Sequence, residues 1–321
     1  MADGIPMVGP GRAPFSVSSN GVLAYWASVP GVTNELRWFR RDGAQAETAV
    51  SAAKYSGFSV APDGRRLALS RWDNKGNRDI FMQDLASGAV SKVTFDGDSA
   101  DPIWSGDGNR LAFASARGTP PNVYSRSASG GEIVRHTNSP LENYPTSWNV
   151  GGNVMVYQVV DPKTRSDIWY VDLKENAKPV PFLQTSASEL EGKLSPDGKW
   201  IAFLSDESGV PELYIASFPS GETKRPISAG GISLDGPCLI HWRGDGKELF
   251  YVSGGQLMAA SVRSTESSVE VGKPQKLFAI GSAEYSVTAD GSRFLVPVTV
   301  PDKDAPPITV VLNWTALVNK K

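Results

Sequence analysis

Carboxylates are the side chains of this 321-residue chain that are best able to do chemistry, because they are grouped in short polar segments ahead of apolar strands. They are Asp96, Asp98, Asp101, Glu142, Glu189, Glu191, Asp235 and Glu284. Other polar segments carry Arg71, Arg78, Arg117 and Arg165. Acids that converge on one place attract a cationic group, and a carboxylate pair can also act as acid and base. Since the net charge is only −2, such a cluster would be a local feature.

Asp96, Asp98 and Asp101 lie within six residues, and oxygen-rich segments suit calcium. The EF-hand pattern is not met, because Ala100 occupies the fifth position and no glutamate stands at the twelfth. The two histidines of the chain are too few for a histidine-rich metal centre. We therefore predict no metal and no other cofactor, with calcium at these aspartates as the alternative.

A recurrent turn dipeptide reveals the elements that must position these residues. It occurs at Asn20-Gly21, Asp63-Gly64, Asp107-Gly108, Gly151-Gly152, Asp197-Gly198, Asp245-Gly246 and Asp290-Gly291. Glycine accepts the positive φ of a tight hairpin turn, and an apolar run such as Ile201–Ser205 follows each turn. With the strands that follow, each repeat has the length of a four-stranded β-propeller blade, about 45 residues.

The repeat predicts an all-β fold, a seven-bladed β-propeller of four-stranded antiparallel blades that forms one domain over residues 1–321. The predicted blade cores are residues 15–50, 58–94, 102–137, 145–184, 192–228, 238–278 and 285–314. The last blade lacks a fourth strand of its own. We expect residues 5–8 to complete it, so that an N-terminal strand closes the last blade and protects its edge.

Two recurrent features of the repeat have structural interpretations. Trp104, Trp148 and Trp242 recur on the inner strand at the blade period, and we expect them to pack between blades rather than to form a stacking platform. A polar residue opens the third strand of six repeats, where we expect it to accept hydrogen bonds from N–H groups of the loop between the second and third strands. These residues are Glu35, Asp79, Asn122, Asp167, Glu212 and Gln256.

Bulk properties exclude several function classes. No basic stripe suggests nucleic acid as a partner. No apolar run approaches the roughly 18 residues of a membrane span. Residues 1–4 do not begin a signal peptide, since no basic segment precedes an apolar one.

The segment Ser195-Pro196-Asp197-Gly198-Lys199-Trp200-Ile201-Ala202-Phe203, followed by Glu212-Leu213-Tyr214, resembles the repeat of TolB-like, PD-repeat bacterial propellers. Ala61-Pro62-Asp63-Gly64-Arg65-Arg66-Leu67-Ala68, followed by Asp79-Ile80-Phe81, resembles it equally. The resemblance covers the whole chain and is specific for fold rather than function.

The two ends resemble a narrower group. Residues 14–25 and the terminal Val310-Val311-Leu312-Asn313-Trp314 are similar to the propeller C-terminal to bacterial Ser/Thr protein kinases. That resemblance implies an extracytoplasmic sensor or interaction module, periplasmic or on the cell surface, in a signalling protein. The chain itself has no kinase Gly-rich loop, His-Arg-Asp or Asp-Phe-Gly motif.

We predict a binding module that is not an enzyme, because the Gly-x-Ser-x-Gly pentad of propeller-bearing hydrolases is also absent. Its site is expected at the mouth of a central channel, and its partner is a protein or peptide with cationic groups. The candidate ligand-binding residues are Arg71, Trp72, Asp101, Arg117, Tyr144, Arg165, Glu191, His241 and Glu284. The alternatives are a propeller hydrolase or lyase that uses the mouth carboxylates, and a passive scaffold.

Overall fold

The computed structural model describes residues 15–18, 20, 22–26, 33–118, 120–174, 178–232, 240–265, 268–301, 308–312 and 314. The chain divides into two compact units. The terminal unit comprises residues 1–34 and 299–321, and the main unit comprises residues 35–298. The described residues include no helix that is long and apolar enough to cross a membrane.

All regular structure around the candidate site is β-strand. The chain begins with β1 (Phe15–Val17), β2 (Val22–Trp26), β3 (Thr33–Arg40) and β4 (Gln45–Ala53). Sheet I follows with β5 (Tyr55–Val60), β6 (Arg66–Trp72), β7 (Arg78–Asp84) and β8 (Val90–Lys92). Sheet II contains β9 (Ser99–Trp104), β10 (Arg110–Ser115), β11 (Asn122–Ser127) and β12 (Ile133–Arg135).

The second half of the chain repeats this plan. Sheet III contains β13 (Glu142–Trp148), β14 (Val154–Asp161), β15 (Arg165–Asp172) and β16 (Val180–Leu183). Sheet IV contains β17 (Glu189–Leu194), β18 (Trp200–Ser205), β19 (Glu212–Ser217) and β20 (Lys224–Pro226). Sheet V has five strands, β21 (Ile240–Trp242), β22 (Glu248–Ser253), β23 (Gln256–Ser264), β24 (Val269–Val271) and β25 (Gln275–Ala279). The last strands are β26 (Ser286–Val287), β27 (Arg293–Val300) and β28 (Ile308–Leu312).

The hairpin between the first and second strands of a sheet forms as the repeat predicts. In sheet IV, Gly198 has a φ of 71° and the Asp197 carboxylate accepts a hydrogen bond from the Lys199 N–H at 3.1 Å. The same aspartate-to-backbone bond occurs at Asp63, Asp107, Asp245 and Asp290. The aspartate fixes the turn, and the glycine adopts the left-handed conformation that the turn requires.

The first strand of each sheet in the main unit is an inner strand, and side chains of the adjacent sheet bond its free backbone groups. The indole N–H of Trp104 in sheet II donates to the Ser59 carbonyl of sheet I at 2.9 Å. The Leu194 N–H of sheet IV donates to the Ser147 hydroxyl of sheet III at 3.0 Å. Trp104 and Trp148 are buried in the cores between sheets, which confirms the predicted packing role. Unsatisfied strand edges are costly when enclosed, so these bonds hold neighbouring sheets together.

The pairing of the terminal repeats differs from the prediction. We expected β3 to follow β2 in the first blade and β28 to follow β27 in the last. Instead the order β26-β27-β3-β4 makes sheet VI, while β1, β2 and β28 form a separate three-stranded sheet. The reason is packing, since Leu36 and Trp38 of β3 are buried with Leu295 of β27.

The described residues therefore contain six sheets of four or five strands and one of three strands. The predicted count of seven four-stranded blades is not confirmed. The predicted closing strand at residues 5–8 lies outside the described residues. A sequence period reveals hairpins and single strands, but it cannot say which of two equivalent terminal hairpins receives which strand.

Candidate functional site

Three carboxylates occupy equivalent positions on alternate sheets of the main unit. Each lies three residues before the last inner-strand residue ahead of the turn. They are Asp101 in sheet II, Glu191 in sheet IV and Glu284, which comes just before β26 in sheet VI. We call these three residues the acidic ring. The corresponding residues of sheets I and III are Gly57 and Pro145, and that of sheet V, Leu239, lies outside the described residues.

Irregular backbone positions two members of the acidic ring. The pairing register shifts between Leu190 and Lys193 in β17, where Glu191 has a φ of 59°. In β9 the register shifts next to Asp101, whose φ is 51°. A bulge turns a side chain away from the regular strand direction, and non-glycine residues with positive φ cost about 1–3 kcal/mol. Such strained bulges are concentrated at functional sites.

A cavity of ≈ 160 Å³ lies at this level of the main unit. Its wall includes Gly57, Asp101, Tyr144, Glu191 and Lys193. Because a water molecule takes about 30 Å³ in the liquid, the cavity has room for several waters or for one small ligand group such as an ammonium. Three of the predicted ligand-binding residues, Asp101, Tyr144 and Glu191, line this cavity.

The electrostatics of the acidic ring are unusual for surface acids. Burial, opposed by the Arg78 charge and assisted by Glu191, raises the pKa of Asp101 to about 6. Burial, together with the Asp101 charge, raises the pKa of Glu284 to about 7, although the Phe58 N–H bonds this carboxylate. Both carboxyls therefore keep their protons to a higher pH than surface acids do.

Lys193 is the ammonium nearest to the ring along the inner strand. Its Nζ lies 3.2 Å from Glu191 Oε2 and donates to the Thr146 carbonyl at 2.8 Å. Glu191 Oε2 is nevertheless without a well-oriented hydrogen bond among the described residues, as is the buried Oε1 of Glu284. Carboxylate oxygens that are buried without a donor favour the arrival of a cationic donor.

Arg78 lies between the acidic ring, where its charge acts on Asp101, and an exposed aromatic side chain. Its guanidinium lies 4.8 Å from the ring centre of Trp72, which is 38% exposed, and pairs with Asp98 at 3.1 Å. Tyr144 donates to Glu142 at 2.8 Å, and burial raises its pKa. Tyr144 thus lines the cavity of the acidic ring, whereas Trp72 is connected to Asp101 only through Arg78, whose charge acts on that carboxylate.

The remaining candidate residues have other partners. Arg117 pairs with Asp96 at 2.8 Å, and Arg165 pairs with Asp206 at 2.6 Å. Arg71 lies over the Phe81 ring at 4.3 Å. These three arginines therefore act in contacts within and between sheets, and none lines the cavity of the acidic ring.

The three aspartates considered for calcium each have different partners. Asp96 accepts from Ser99 and Arg117, Asp98 pairs with Arg78, and Asp101 belongs to the acidic ring. Among the described residues there is no group of three or more His, Cys, Asp or Glu side chains arranged for a metal ion.

A second cavity of ≈ 390 Å³ lies at the turn end of the same inner strands. It is surrounded by the residues that lie two positions after the last inner-strand residue before each turn. We call them the neutral ring: Pro62, Gly106, Val150, Pro196, Gly244 and Ala289. His241 lines this cavity rather than the acidic one, and its Nε2 lies 2.9 Å from the Tyr285 carbonyl oxygen. Five residues line both cavities, namely Phe58, Pro102, Ile103, Thr146 and Lys193.

The equivalence of Asp101, Glu191 and Glu284 was missed from the sequence, although the repeat contained the signal. Counting three residues back from Trp104, Leu194 and Val287 gives these acids. The role of Lys193 had no such signal, because a lysine on an alternating strand is usually solvent-exposed.

Comparison with known proteins supports the fold. Residues 41–180 match the family model of the TolB beta propeller domain. A Tol-Pal system protein TolB from Francisella tularensis subsp. mediasiatica is 28% identical over 164 residues, which is 50% of this chain and 37% of that protein. A solved structure of a putative TolB from Agrobacterium tumefaciens aligns with a TM-score of 0.64 at 18% identity, covering 85% of this chain and all of that one. Together they support a TolB-like β-propeller, as the repeat predicted.

One relative corrects the prediction that the chain is not an enzyme. An uncharacterized peptidase, YuxL, from Bacillus subtilis (strain 168) is 27% identical over 175 residues, which is 52% of this chain and 25% of that protein. The absence of known catalytic motifs therefore does not separate this chain from enzymes, and that prediction was wrong. The chain spans only about a quarter to a third of the lengths of these two relatives.

Proposed function

We propose that the main unit binds a cationic group of a protein or peptide at the acidic ring. The observation that carries the proposal is the alternation of Asp101, Glu191 and Glu284 around one level of the inner strands. Three acids at equivalent positions repel one another unless a positive charge relieves them.

The size and charge of the site favour an ammonium or guanidinium group. The cavity of ≈ 160 Å³ takes the end of a lysine or arginine side chain but not a folded domain. The buried Oε1 of Glu284 has no hydrogen-bond donor among the described residues, and an ammonium supplies three. Trp72 offers an aromatic face beside the ring for the rest of the peptide.

Titration calorimetry with the peptide Lys-Lys-Lys tests this proposal. We expect binding that weakens about tenfold between 50 and 300 mM NaCl, because charge pairing is screened by salt. Glu191→Gln and Glu284→Gln should each weaken binding, whereas Glu270→Gln on the outer strand β24 should not. Binding that is equally strong in all four proteins would place the cation elsewhere.

A second candidate function is acid–base catalysis by the ring, in a hydrolase or lyase. The observation in its favour is that Asp101 and Glu284 both have raised pKa values and that the Asp101 charge contributes to the shift of Glu284, as in paired catalytic carboxyls. Turnover of peptide or glycoside substrates with a maximum between pH 6 and 7, lost in Glu284→Gln, would support it. Glu270→Gln should keep this turnover, and turnover that persists in Glu284→Gln would point to a contaminant or to another site.

The biological setting that we propose is a bacterial signalling protein with this unit outside the cytoplasm. Its support is the resemblance of residues 14–25 and 310–314 to kinase-associated propellers. Strands from these two segments, β1, β2 and β28, pair with one another in the terminal unit. Fractionation of cells that express the full-length protein tests the location, and cytoplasmic recovery would contradict it.

A further inference from the structure

Two other carboxylates are more deeply enclosed than the acidic ring. Asp167 is the third residue of β15 in sheet III and is 0% exposed, while Glu189 opens β17 in sheet IV and is 1% exposed. Asp167 Oδ1 and Glu189 Oε2 have no hydrogen-bond partner among the described residues. Buried carboxylates are normally paired with a cation, fully hydrogen-bonded or bound to a metal.

Equivalent positions in three other sheets show what Asp167 lacks. Asp79 accepts from the Thr94 hydroxyl at 2.8 Å and the Gly97 N–H at 3.2 Å, and Lys92 pairs with it at 2.8 Å. Asn122 and Glu212 likewise accept from backbone N–H groups of the connector after their sheet's last strand. These residues do accept hydrogen bonds from backbone N–H groups, but the donors lie in the connector after the fourth strand and not in the predicted loop between the second and third strands.

Asp167 has neither the backbone N–H bond nor the paired lysine that Asp79 has. Its Oδ2 accepts from the Thr164 hydroxyl at 2.7 Å and from the Gln184 amide at 3.5 Å, and no backbone N–H is bonded to it. Phe182 stands where sheet I has Lys92, two residues before the side chain that bonds the strand-opening acid. The cation that neutralises Asp79 therefore has no counterpart here.

Glu189 does not relieve Asp167, because it adds a second negative charge. Its other oxygen accepts from the Thr185 hydroxyl. Arg165 and Lys224 are held in ion pairs with Asp206 and Glu207, although the charges of both also act on Glu189. Burial raises the pKa of both carboxyls, and the Asp167 charge raises that of Glu189 further.

We propose that Asp167 and Glu189 bind one calcium ion between sheets III and IV. The free oxygens of the two carboxylates, with the hydroxyls of Thr164 and Thr185 and the amide oxygen of Gln184, make an all-oxygen donor set. Such donors suit hard cations. Magnesium keeps several waters and a strict octahedron, which an enclosed pair does not readily supply, whereas calcium accepts irregular oxygen sites. Gln184 and Thr185, which bond Asp167 and Glu189, are themselves exposed to solvent.

Differential scanning calorimetry of the full chain in EGTA and in 5 mM CaCl₂ tests the site. We expect calcium to raise the melting temperature by at least 3 °C, because a ligand that binds only the folded state stabilises it. Glu189→Gln and Asp167→Asn should lose this rise. Asp79→Asn is the matched control at the equivalent position of sheet I, and it should retain the rise.

Two results would overturn the proposal. The first is a wild-type melting temperature that neither calcium nor magnesium changes, combined with a melting temperature of Glu189→Gln above that of the wild type at pH 8. That combination would indicate that the two carboxyls share a proton instead of binding a metal ion. The second is a rise in melting temperature with calcium that both Glu189→Gln and Asp167→Asn keep. If Asp167→Asn does not fold, equilibrium dialysis of the wild type with ⁴⁵Ca decides the matter: one ion per chain supports the site, and no bound ion contradicts it.

Discussion

The acidic ring belongs to three of the six sheets whose first turns carry the neutral ring. In those three sheets the two rings are five positions apart in sequence, yet they have opposite characters. The turn end also carries many acids, but Asp63, Asp107, Asp245 and Asp290 bond turn N–H groups, and these bonds help to lower their pKa values. At the other end, burial raises the pKa values of Asp101 and Glu284. The comparison teaches that the surroundings of a carboxylate, not the number of carboxylates, distinguish a candidate site from a turn.

The largest effect on stability is expected when substitutions remove the charge of the acidic ring. Carboxyls with raised pKa values bind more protons in the folded state, so they stabilise the fold at low pH and this contribution is lost as pH rises through about 6 to 7. A variant with Asp101→Asn and Glu284→Gln should gain roughly 3 kcal/mol over the wild type between pH 5 and pH 8. Asparagine also tolerates the positive φ of residue 101.

Chemical denaturation of both proteins at the two pH values measures this difference. Burial lowers the pKa of His136 to about 4, which makes stability rise with pH, but this contribution is common to both proteins and cancels. A constant difference across the pH range would mean that the ring acids titrate normally.

The next effect concerns the neutral ring, where close backbone contact replaces charge. A Cβ on Gly106 would lie 2.3 Å from the Val150 Cα, so Gly106→Ala must displace the adjacent turn. We expect a loss of about 2 kcal/mol in the free energy of unfolding, typical of overpacking. Gly118→Ala is the control, since its Cβ would meet nothing within 4 Å. Equal denaturation midpoints for the two variants would refute this account of the turn end.

A third change sharpens the comparison by adding a carboxylate to the acidic ring. Gly57 is the ring position of sheet I, and a Cβ there would make only ordinary contacts with Pro102 and Asp101, the nearest at 3.5 Å. Gly57→Asp should bind Lys-Lys-Lys severalfold more tightly at 50 mM NaCl and lose about 1 kcal/mol of stability at pH 8. Calorimetry that finds weaker binding would show that sheet I does not face the ligand.

The smallest effect is expected from polarity at the neutral ring. Val150 is 52% exposed on its turn, so Val150→Ser should change stability by less than about 0.5 kcal/mol and leave peptide binding unchanged. A thermal shift assay and the same titration measure both. Weakened binding would mean that the ligand passes through both cavities.

Sequence reasoning predicted the hairpins because each depends on local chemistry, an aspartate followed by a glycine at a tight turn. It also found Asp101, Glu191 and Glu284 as candidates, but not that they share one level, which depends on the register of three separate strands. The enclosure of Asp167 and Glu189 was missed for a related reason. Whether a strand-opening acid meets Lys92 or Phe182 is decided by cross-strand pairing, which the spacing of residues does not encode.

Sheet VI has a consequence for how the chain folds. Its strands β27 and β3 are separated by more than 250 residues, so β3 and β4 leave the ribosome long before their partners exist. During that interval the edge of β3 is unpaired and open to association with other chains. We therefore expect slow folding, limited by a long-range contact, and a requirement for residues up to 300 before protease resistance develops.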